Sequence, residues 1–368
     1  MLSESSTANG AQVAALRSAA PSLLSKLSYA GAVYAAKGFT GTMGRLRDWK
    51  ESRNPPEGRP NIVKTYECRP CLPVRIFFPS TYDQTSPTPL PTLLTIHGGG
   101  FCIGHNRDDD KWNRTFADRH RTLVISLNYR KAPGSPFPTA PHDVEALLLA
   151  ALADDSLPVD RTVCHNPPHN LPRIALAGFS AGGNLALSVS QLPSIRAHPL
   201  APSAVISVYG ALDLSTPPTE KLRNRPWKPE LALPRGDTKD WLMRLAPAFD
   251  WSYIPYGQDL RDPLLSPVYV EKEMLPPFVC IVAAELDMLA HESWRLACRL
   301  AGREVPDRES KDPEARVCGR EAVSAGKGEL VGLEREKDER FAFEERWEGG
   351  GVRWLLVRTC CMALITQG

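Results

Sequence analysis

Short apolar runs alternate with segments of helical period along most of this chain, and the alternation restricts the fold that it can adopt. The runs are too short for helices and are bounded by turn residues; they lie at 93–96, 123–126, 174–177, 204–208 and 278–284. Helix-period segments at 143–152, 184–190 and 292–300 separate several of them. Because parallel strands joined through helices make right-handed crossovers, the pattern predicts an α/β fold with a mostly parallel, doubly wound sheet.

The segments around this core predict helical cap segments and a charged excursion. Residues 1–60 are rich in Ala and predict an N-terminal helical cap segment, and residues 61–302 form the core. An aromatic-rich stretch near 215–262 breaks the strand rhythm and is read either as a lid or as an inserted helical pair with its own core. Residues 303–349 carry dense charge of mixed sign and predict a solvated or disordered excursion. Residues 350–368 hold a last strand, at 352–357, and an atypical tail.

The composition limits the partners of the chain. A net charge of +2 gives no basic field for nucleic acid, and no apolar run reaches the ~18 residues of a transmembrane segment. The nine cysteines lack paired spacing except Cys68 and Cys71, which alone complete no zinc site. We therefore expect reduced thiols, a cytoplasmic location and no metal. A small molecule is the expected partner, and the oligomeric state is left open.

The sequence Gly-Phe-Ser-Ala-Gly at 178–182 directly follows a predicted strand and precedes a helical segment. This is the context of a nucleophile elbow, in which a sharp turn exposes a serine hydroxyl at the end of the sheet. The N-terminus of the following helix favours developing negative charge there. The sequence therefore predicts Ser180 as the nucleophile of an acyl-transfer reaction.

Three consecutive glycines, Gly98, Gly99 and Gly100, follow the predicted strand at 93–96 and expose backbone N–H groups. Together with the N–H of Ala181 they can donate to the oxyanion of a tetrahedral intermediate. A phosphate-binding loop is the alternative, but the chain has no GxxxxGK[ST] pattern there. His97 precedes the loop, and we expect it to be a structural hydrogen-bonding residue rather than the base.

A carboxylate should follow a late strand in this chain order, and Asp287 lies three residues after the predicted strand at 278–284. It could orient an imidazole and stabilise its charged form. Glu285 is the alternative acid. Asp213 follows too early a strand, and we expect it to fix a loop.

Four motifs in order resemble those of the hormone-sensitive-lipase-like carboxylesterases, the third α/β-hydrolase fold family. They are His-Gly-Gly-Gly-Phe at 97–101, Tyr-Arg-Lys-Ala-Pro at 129–133 with Phe-Pro at 137–138, the elbow at 178–183, and Asp-Pro at 262–263 with Ser-Pro at 266–267. The resemblance covers residues 74–302. It implies an α/β-hydrolase fold with a helical cap, hydrolysis of carboxylic esters of short or medium acyl chain, and no metal or organic cofactor.

The resemblance also implies a triad histidine just after the last strand, and this chain has none there. The strand at 352–357 is followed by Arg-Thr-Cys-Cys-Met, and His291 is the last histidine of the sequence. His291 is a weak candidate for the base, because four residues separate it from Asp287. From the unusual ending we expect either a truncated or mis-spliced form of an active esterase, or a natural loss of catalysis. A non-catalytic hydrolase-fold protein that binds a small apolar ligand is the alternative function.

Overall fold

A mixed β-sheet forms the centre of the computed structural model, which describes residues 16–17, 21–162, 171–223, 241–303 and 341–357. In chain order its described strands are β1 Ile62–Lys64, β2 Val74–Phe77, β3 Thr92–Ile96, β4 Leu123–Leu127, β5 Ile174–Phe179, β6 Ala204–Val208, β7 Phe278–Ala284, β8 Ala342–Trp347 and β9 Gly350–Val357. The spatial order is β1-β2-β4-β3-β5-β6-β7-β9-β8. The six neighbouring strands β4, β3, β5, β6, β7 and β9 are parallel to one another. At the two sides of the sheet, β1, β2 and β8 pair antiparallel.

Helices cover both faces of the sheet. They are α1 Leu23–Arg53, α2 Asp110–His120, α3 Thr139–Ala153, α4 Ala181–Ser190, α5 Pro193–Arg196, α6 Pro218–Arg223, α7 Ala246–Tyr253 and α8 Ala290–Leu300. Successive residues of each central strand point to opposite faces. In β3, Leu94 packs in the large core with α3, α4 and α8, whereas Leu93 packs in a smaller core beneath α2. Every residue of β3 and β4 is buried, as expected for strands covered on both faces.

The five apolar runs form β3 to β7 to within two residues, which confirms the predicted α/β sheet. The three predicted helices begin two to four residues earlier than expected, because polar or glycine-rich first turns hid their starts from the periodicity.

The structure differs from the predicted excursion at 303–349, since Ala342–Trp347 is a strand. Phe343 is buried in β8 while Glu344 and Arg346 face outward, an alternation that the density of charge obscured. Residues 304–340 lie outside the described residues.

The predicted last strand is β9, and it ends beside the loop that holds the candidate acids. β9 pairs in parallel with β7, with Val357 opposite Ala284. The N–H of Glu285 then donates to the Val357 carbonyl at 3.0 Å. The last described residue of β9 therefore lies next to Glu285. The predicted tail from residue 358 onward lies outside the described residues.

The predicted N-terminal cap segment contains α1, which packs against α7 from the aromatic-rich insertion. Tyr29 and Trp251 lie with ring centroids 6.3 Å apart, and Val33 is the fully buried side chain of α1. Arg17, just before α1, donates from its backbone N–H to Gln258 at 3.1 Å. Within the described ranges, no helix combines the length and the apolar character needed to cross a membrane.

Asp143 in α3 ties three parts of the chain together. Its carboxylate is fully buried and lies 2.5 Å from Nε of Arg69, and it accepts from both the backbone N–H and the guanidinium of Arg130. Burial alone would raise the pKa of Asp143, but the hydrogen bonds from Arg130 and Arg69 lower it below its ordinary value. The Tyr-Arg-Lys-Ala-Pro motif is thus fixed to the helix that follows it.

Replacing Asp143 with Asn should lower the free energy of unfolding by about 1–3 kcal/mol at pH 7, because two arginines lose a charged acceptor. Since the folded-state pKa is lowered, this stabilisation is present above the unfolded value near 4 and is lost as pH falls through the folded value. Urea unfolding at several pH values should show the difference shrinking below about pH 4. Asp155→Asn, at a side chain that is 97% exposed, is the control, and an equal loss there would contradict the role of Asp143.

Candidate active site

Ser180 lies in a left-handed turn between β5 and α4. Its backbone has φ +54° and ψ −118°, a conformation that residues other than glycine rarely adopt. The N–H of Ser180 donates to the Val208 carbonyl at 2.9 Å, and its own carbonyl accepts from Gly183 at 2.9 Å and from Asn184 at 3.2 Å. These bonds hold the side chain at the carboxyl end of the sheet and at the N-terminus of α4, as in a nucleophile elbow.

Two glycines allow β5 and α4 to cross closely around the turn. A β-carbon on Gly178 would lie 1.9 Å from the carbonyl oxygen of Gly182. A β-carbon on Gly182 would lie 2.0 Å from the carbonyl oxygen of Ile96 in β3. Because both obstacles are backbone atoms, no larger residue fits at either position. The Gly-x-Ser-x-Gly spacing is therefore a packing requirement of three adjoining elements.

The glycine loop after β3 lies directly against this turn. A β-carbon on Gly98 would lie 3.2 Å from Cβ of Ser180. Gly99 and Gly100 have φ of +121° and +56°, which turn the backbone back on itself. Among the described residues, no carbonyl or side chain accepts from the N–H groups of Gly99, Gly100 or Ala181. The loop thus supplies backbone donors beside Ser180, as an oxyanion hole requires.

His97 is occupied on both sides of its ring. It is 1% exposed, its Nδ1 lies 2.7 Å from the Gly98 carbonyl oxygen, and its Nε2 lies 3.1 Å from Oδ1 of Asn128. The ring stacks on Tyr129, with centroids 4.6 Å apart. Burial, aided by the charge of Lys131, lowers the pKa of His97 well below its ordinary value. A buried ring held between the loop and Asn128 shapes the loop, which agrees with the structural role expected for it.

Aromatic side chains of α7 hold the glycine loop from the other side. A β-carbon on Gly100 would lie 2.2 Å from Cδ2 of Phe249. Phe101, also with a positive φ of 62°, stacks face to face on Tyr253 with centroids 3.8 Å apart. Phe137 of the Phe-Pro motif meets the same Tyr253 ring edge-on at 5.9 Å. The aromatic-rich insertion therefore fixes the loop as well as covering it.

Asp287 and Glu285 lie in the loop after β7, and both are buried. Asp287 is 3% exposed, and its Oδ1 accepts from the Leu289 N–H at 3.1 Å. Glu285 is fully buried beside the end of β9. Met288 and Leu289 of this loop line the same cavity as Ser180. The loop thus reaches the site, and the choice of Asp287 over Glu285 stays a prediction.

His291 lies in the first turn of α8 and is 4% exposed. Its ring meets Trp294 edge-on, with centroids 6.2 Å apart. The histidines that line the cavity in the described part of the chain are His97 and His105, and His291 is not among them. Neither His291 nor Asp287 is among the described residues that line the cavity with Ser180.

A buried charge network at the cavity wall joins α6 and the loop after β6 to α8. Lys221 lies 2.7 Å from Glu292 of α8, and both side chains are nearly inaccessible. Glu292 also accepts from the Leu212 N–H at 2.7 Å. Asp213 pairs with Arg295 at 3.1 Å and bonds its own loop. Asp213 thus fixes a loop, as its place after an early strand suggested.

The site opens into a cavity of about 1050 Å³ between the sheet and the cap helices. Apolar and small residues of α1 and α7 form much of its wall, including Phe39, Met43 and Phe249. Burial lowers the pKa of Lys131 to about 7 and raises that of Asp109 to about 7 and that of Asp250 to about 6. Burial therefore favours the uncharged forms of these wall groups, which suits a neutral ligand better than an ionic one.

Several lining residues were missed from the sequence. Phe39 and Met43 are far from Ser180 along the chain, and no local pattern connects them with it. Tyr209 directly follows β6, so the rule that sites lie just after strand ends could have identified it. It has a positive φ of 40° and its N–H donates to Val282 at 2.6 Å.

Comparison with known proteins decides the family. A family model described as alpha/beta hydrolase fold matches residues 93–312, which include the glycine loop, the elbow and the acid loop. The chain belongs to the hormone-sensitive-lipase-like α/β-hydrolase family. The match confirms the predicted family and fold. Esterases and related hydrolases make up this family.

Individual relatives are similar over part of their length. An arylesterase of Saccharolobus solfataricus is 28% identical over 64% of this chain and 68% of its own. An arylacetamide deacetylase of Oryctolagus cuniculus is 31% identical over 49% of this chain, and the match spans 44% of that protein. The solved structure of an esterase of Pyrobaculum calidifontis superposes with a TM-score of 0.56 at 25% identity, covering 74% of this chain and 81% of its own.

Replacing Gly100 with Ala should destabilise the chain by about 2–5 kcal/mol, because the new methyl combines a disfavoured positive φ with overlap on the Phe249 ring. Gly257→Ala is the matched control, since Gly257 has φ +77° but a β-carbon there would have no atom within 4 Å. That change should cost about 1–2 kcal/mol. Urea unfolding measures both, and equal losses would contradict the contact of Phe249 with the glycine loop.

Proposed function

We propose that this chain is built to hydrolyse carboxylic esters through an acyl-enzyme on Ser180. The observation that carries the proposal is the contact of the glycine loop with the strained serine turn. A nucleophile and several backbone donors then share one end of the sheet, where a tetrahedral intermediate would form. Membership in a family of esterases gives independent support.

In the proposed reaction the Ser180 oxygen bonds to the ester carbonyl carbon, and the N–H groups of Gly99, Gly100 and Ala181 receive the oxyanion. Gly98 positions that loop against the turn. The bond to the alkoxy group then breaks and the alcohol leaves with a proton. Water attacks the acyl-enzyme in the same way, releasing the carboxylic acid and restoring Ser180. Asp287 is proposed to orient the base that moves these protons.

The catalytic base is expected to be a histidine after Val357, and the sequence of 368 residues has none there. His97 is buried between the Gly98 carbonyl and Asn128, and His291 lies outside the described cavity lining. Val357, after which the family carries its histidine, ends beside the loop of Asp287. We therefore propose that this polypeptide is a poor esterase and that a histidine just after Val357 would complete it.

The proposal is tested by replacing residues 358–368 with a segment that carries the family-like Asp-x-x-His-Gly sequence. Hydrolysis of p-nitrophenyl acetate should rise by about 10³-fold or more, because loss of a triad histidine costs a serine protease about 10⁶ in turnover. The same segment with alanine for histidine is the control and should show no rise. Ser180→Ala should remove the gained activity.

Two results would contradict this account of the base. If the original chain turns over the ester at an ordinary enzyme rate, about 1 s⁻¹ or faster, and His291→Ala abolishes it, then His291 is the base. If the original chain is that active and His291→Ala leaves the rate unchanged, the triad proposal fails as a whole.

We further propose short- or medium-chain and aryl esters as substrates. The cavity is bounded by α1 and α7, and burial favours the uncharged forms of Lys131, Asp109 and Asp250 in its wall, which fits a compact neutral ester. On the histidine-bearing chain, p-nitrophenyl acetate and butyrate should turn over faster than the palmitate ester. A preference for emulsified long-chain lipid would contradict a cavity closed by these helices.

A second candidate function follows from the same missing base. A chain with an intact cavity of about 1050 Å³ and no positioned histidine could bind a small apolar ligand without reacting with it. Isothermal titration with phenyl acetate distinguishes the candidates. Binding without turnover, unchanged by Ser180→Ala and with no gain from the histidine-bearing segment, would favour the binding function.

A further inference from the structure

A carboxyl group and an ammonium group reach the wall of the cavity from two helices. On α7, Ala246, Phe249 and Asp250 line the cavity, and their spacing of three and four residues keeps them on one side of the helix. On α6, Pro218 and Lys221 line the same cavity at a spacing of three. The charges of Asp250 and Lys221 act on each other, so the two groups are close neighbours.

The carboxylate of Asp250 lacks a partner in the described part of the chain. No described side chain forms an ion pair with it or donates a hydrogen bond to it. Arg17 donates instead to the backbone carbonyls of Asp250, at 3.1 Å, and of Ile254. Burial raises the pKa of Asp250 to about 6, although the charges of Lys221 and Arg17 act to lower it. Because an enclosed carboxylate without a partner is costly, a group from outside the protein should complete it.

Lys221, in contrast, is fixed in place as a charged donor. Its Nζ lies 2.7 Å from the carboxylate of Glu292, which is its one ion-pair partner among the described residues. Burial alone would lower the pKa of Lys221, but the charges of Glu292 and Asp213 raise it above its ordinary value. An ammonium carries three N–H donors. The wall therefore offers an acceptor at Asp250 and a donor at Lys221.

This pair of groups indicates the chemistry of the ligand, and we propose that Asp250 and Lys221 form a subsite for a hydroxyl group. A hydroxyl can donate to the carboxylate and accept from the ammonium at the same time. An ammonium on the ligand would be repelled by Lys221, and a carboxylate on the ligand would be repelled by Asp250. A hydroxyl also leaves the ligand neutral, which suits the other titratable groups of the wall.

The subsite would select among the esters that enter the cavity. Phe249, the neighbour of Asp250, overlies the glycine loop beside Ser180, so the helix that covers the oxyanion donors also carries the selecting carboxylate. Esters with a hydroxyl on the acyl or the aryl part should then be preferred over their parents. The subsite rests on the proposed function in that the ligand is taken to be an ester, and binding to it is measured without any reaction.

The test is isothermal titration of the full chain carrying Ser180→Ala, which consumes no ester. The ligand pairs are phenyl acetate with 3- and 4-hydroxyphenyl acetate, and phenyl butyrate with phenyl 3-hydroxybutyrate. At least one hydroxylated ester should bind about tenfold or more tightly than its parent, because it gains a hydrogen bond to a charged group. Each parent ester is the matched control for its hydroxylated form.

Substitution of Asp250 assigns this preference to the subsite. Asp250→Asn should reduce the preference about fivefold or more, and Asp250→Leu should abolish it, while the parent ester binds within about twofold of its original affinity. Asp250→Leu should also leave the urea midpoint of unfolding unchanged or raised, because it removes an enclosed carboxylate that has no described partner. Asp155→Asn, at a side chain that is 97% exposed, is the control and should keep the full preference.

Three results would overturn the subsite. One is equal binding of every hydroxylated ester and its parent, since water alone would then meet Asp250. Another is a preference that persists in both Asp250 variants, with circular dichroism showing them folded. The third is tighter binding of 4-(aminomethyl)phenyl acetate, which carries an ammonium, than of either hydroxyphenyl acetate. A hydroxyl preference without any gain of turnover in the histidine-bearing chain would support the subsite while contradicting the esterase proposal.

Discussion

The close crossing of three backbone segments around Ser180 is the contact on which the rest of the structure depends. β3, β5 and α4 approach so closely at Gly178 and Gly182 that a single methyl group would overlap a carbonyl oxygen. That approach forces Ser180 into its left-handed turn and sets the glycine loop against it. Position and strain of the serine are therefore consequences of packing, and they persist whether or not the chain catalyses a reaction.

Contacts between residues far apart in sequence hold the surrounding elements against this crossing. Asn184 of α4 donates to the carbonyls of Ala211 and Leu265 at 2.7 and 2.9 Å, which fixes the Asp-Pro…Ser-Pro stretch beside the elbow. Phe101 carries the glycine loop onto Tyr253 of α7. The helix α7 is thus in direct aromatic contact with the glycine loop that carries the backbone donors.

The sequence predicted those features whose causes are local. Strands β3 to β7 followed from apolar runs, and the elbow followed from glycines whose necessity is steric. β8 was missed because Glu344, Glu345 and Arg346 mask the alternation of a strand at the edge of a sheet. Phe39 and Met43 could not be found, since their place on the cavity wall depends on how α1 packs on α7.

The candidate acid, Asp287, was predicted from its position three residues after β7. The histidine that it would orient is not identified by the fold. Val357 ends beside Glu285 in the loop that also holds Asp287, and in the function proposed above the base that activates Ser180 would follow Val357. On this proposal the nucleophile and the oxyanion donors are complete in the described residues, and the proton carrier is the missing component. A scaffold of this kind should react with reagents that mimic the tetrahedral intermediate even when turnover is slow.

The most direct measurement is mass-spectrometric mapping of a fluorophosphonate adduct, on the chain as it is and on the form with a histidine after Val357. Ser180 should be phosphonylated in both proteins, far faster in the histidine-bearing form, and no adduct should form at that peptide in Ser180→Ala. A phosphonate on a different serine, or labelling at an unchanged rate in Ser180→Ala, would contradict the assignment of Ser180 as the nucleophile.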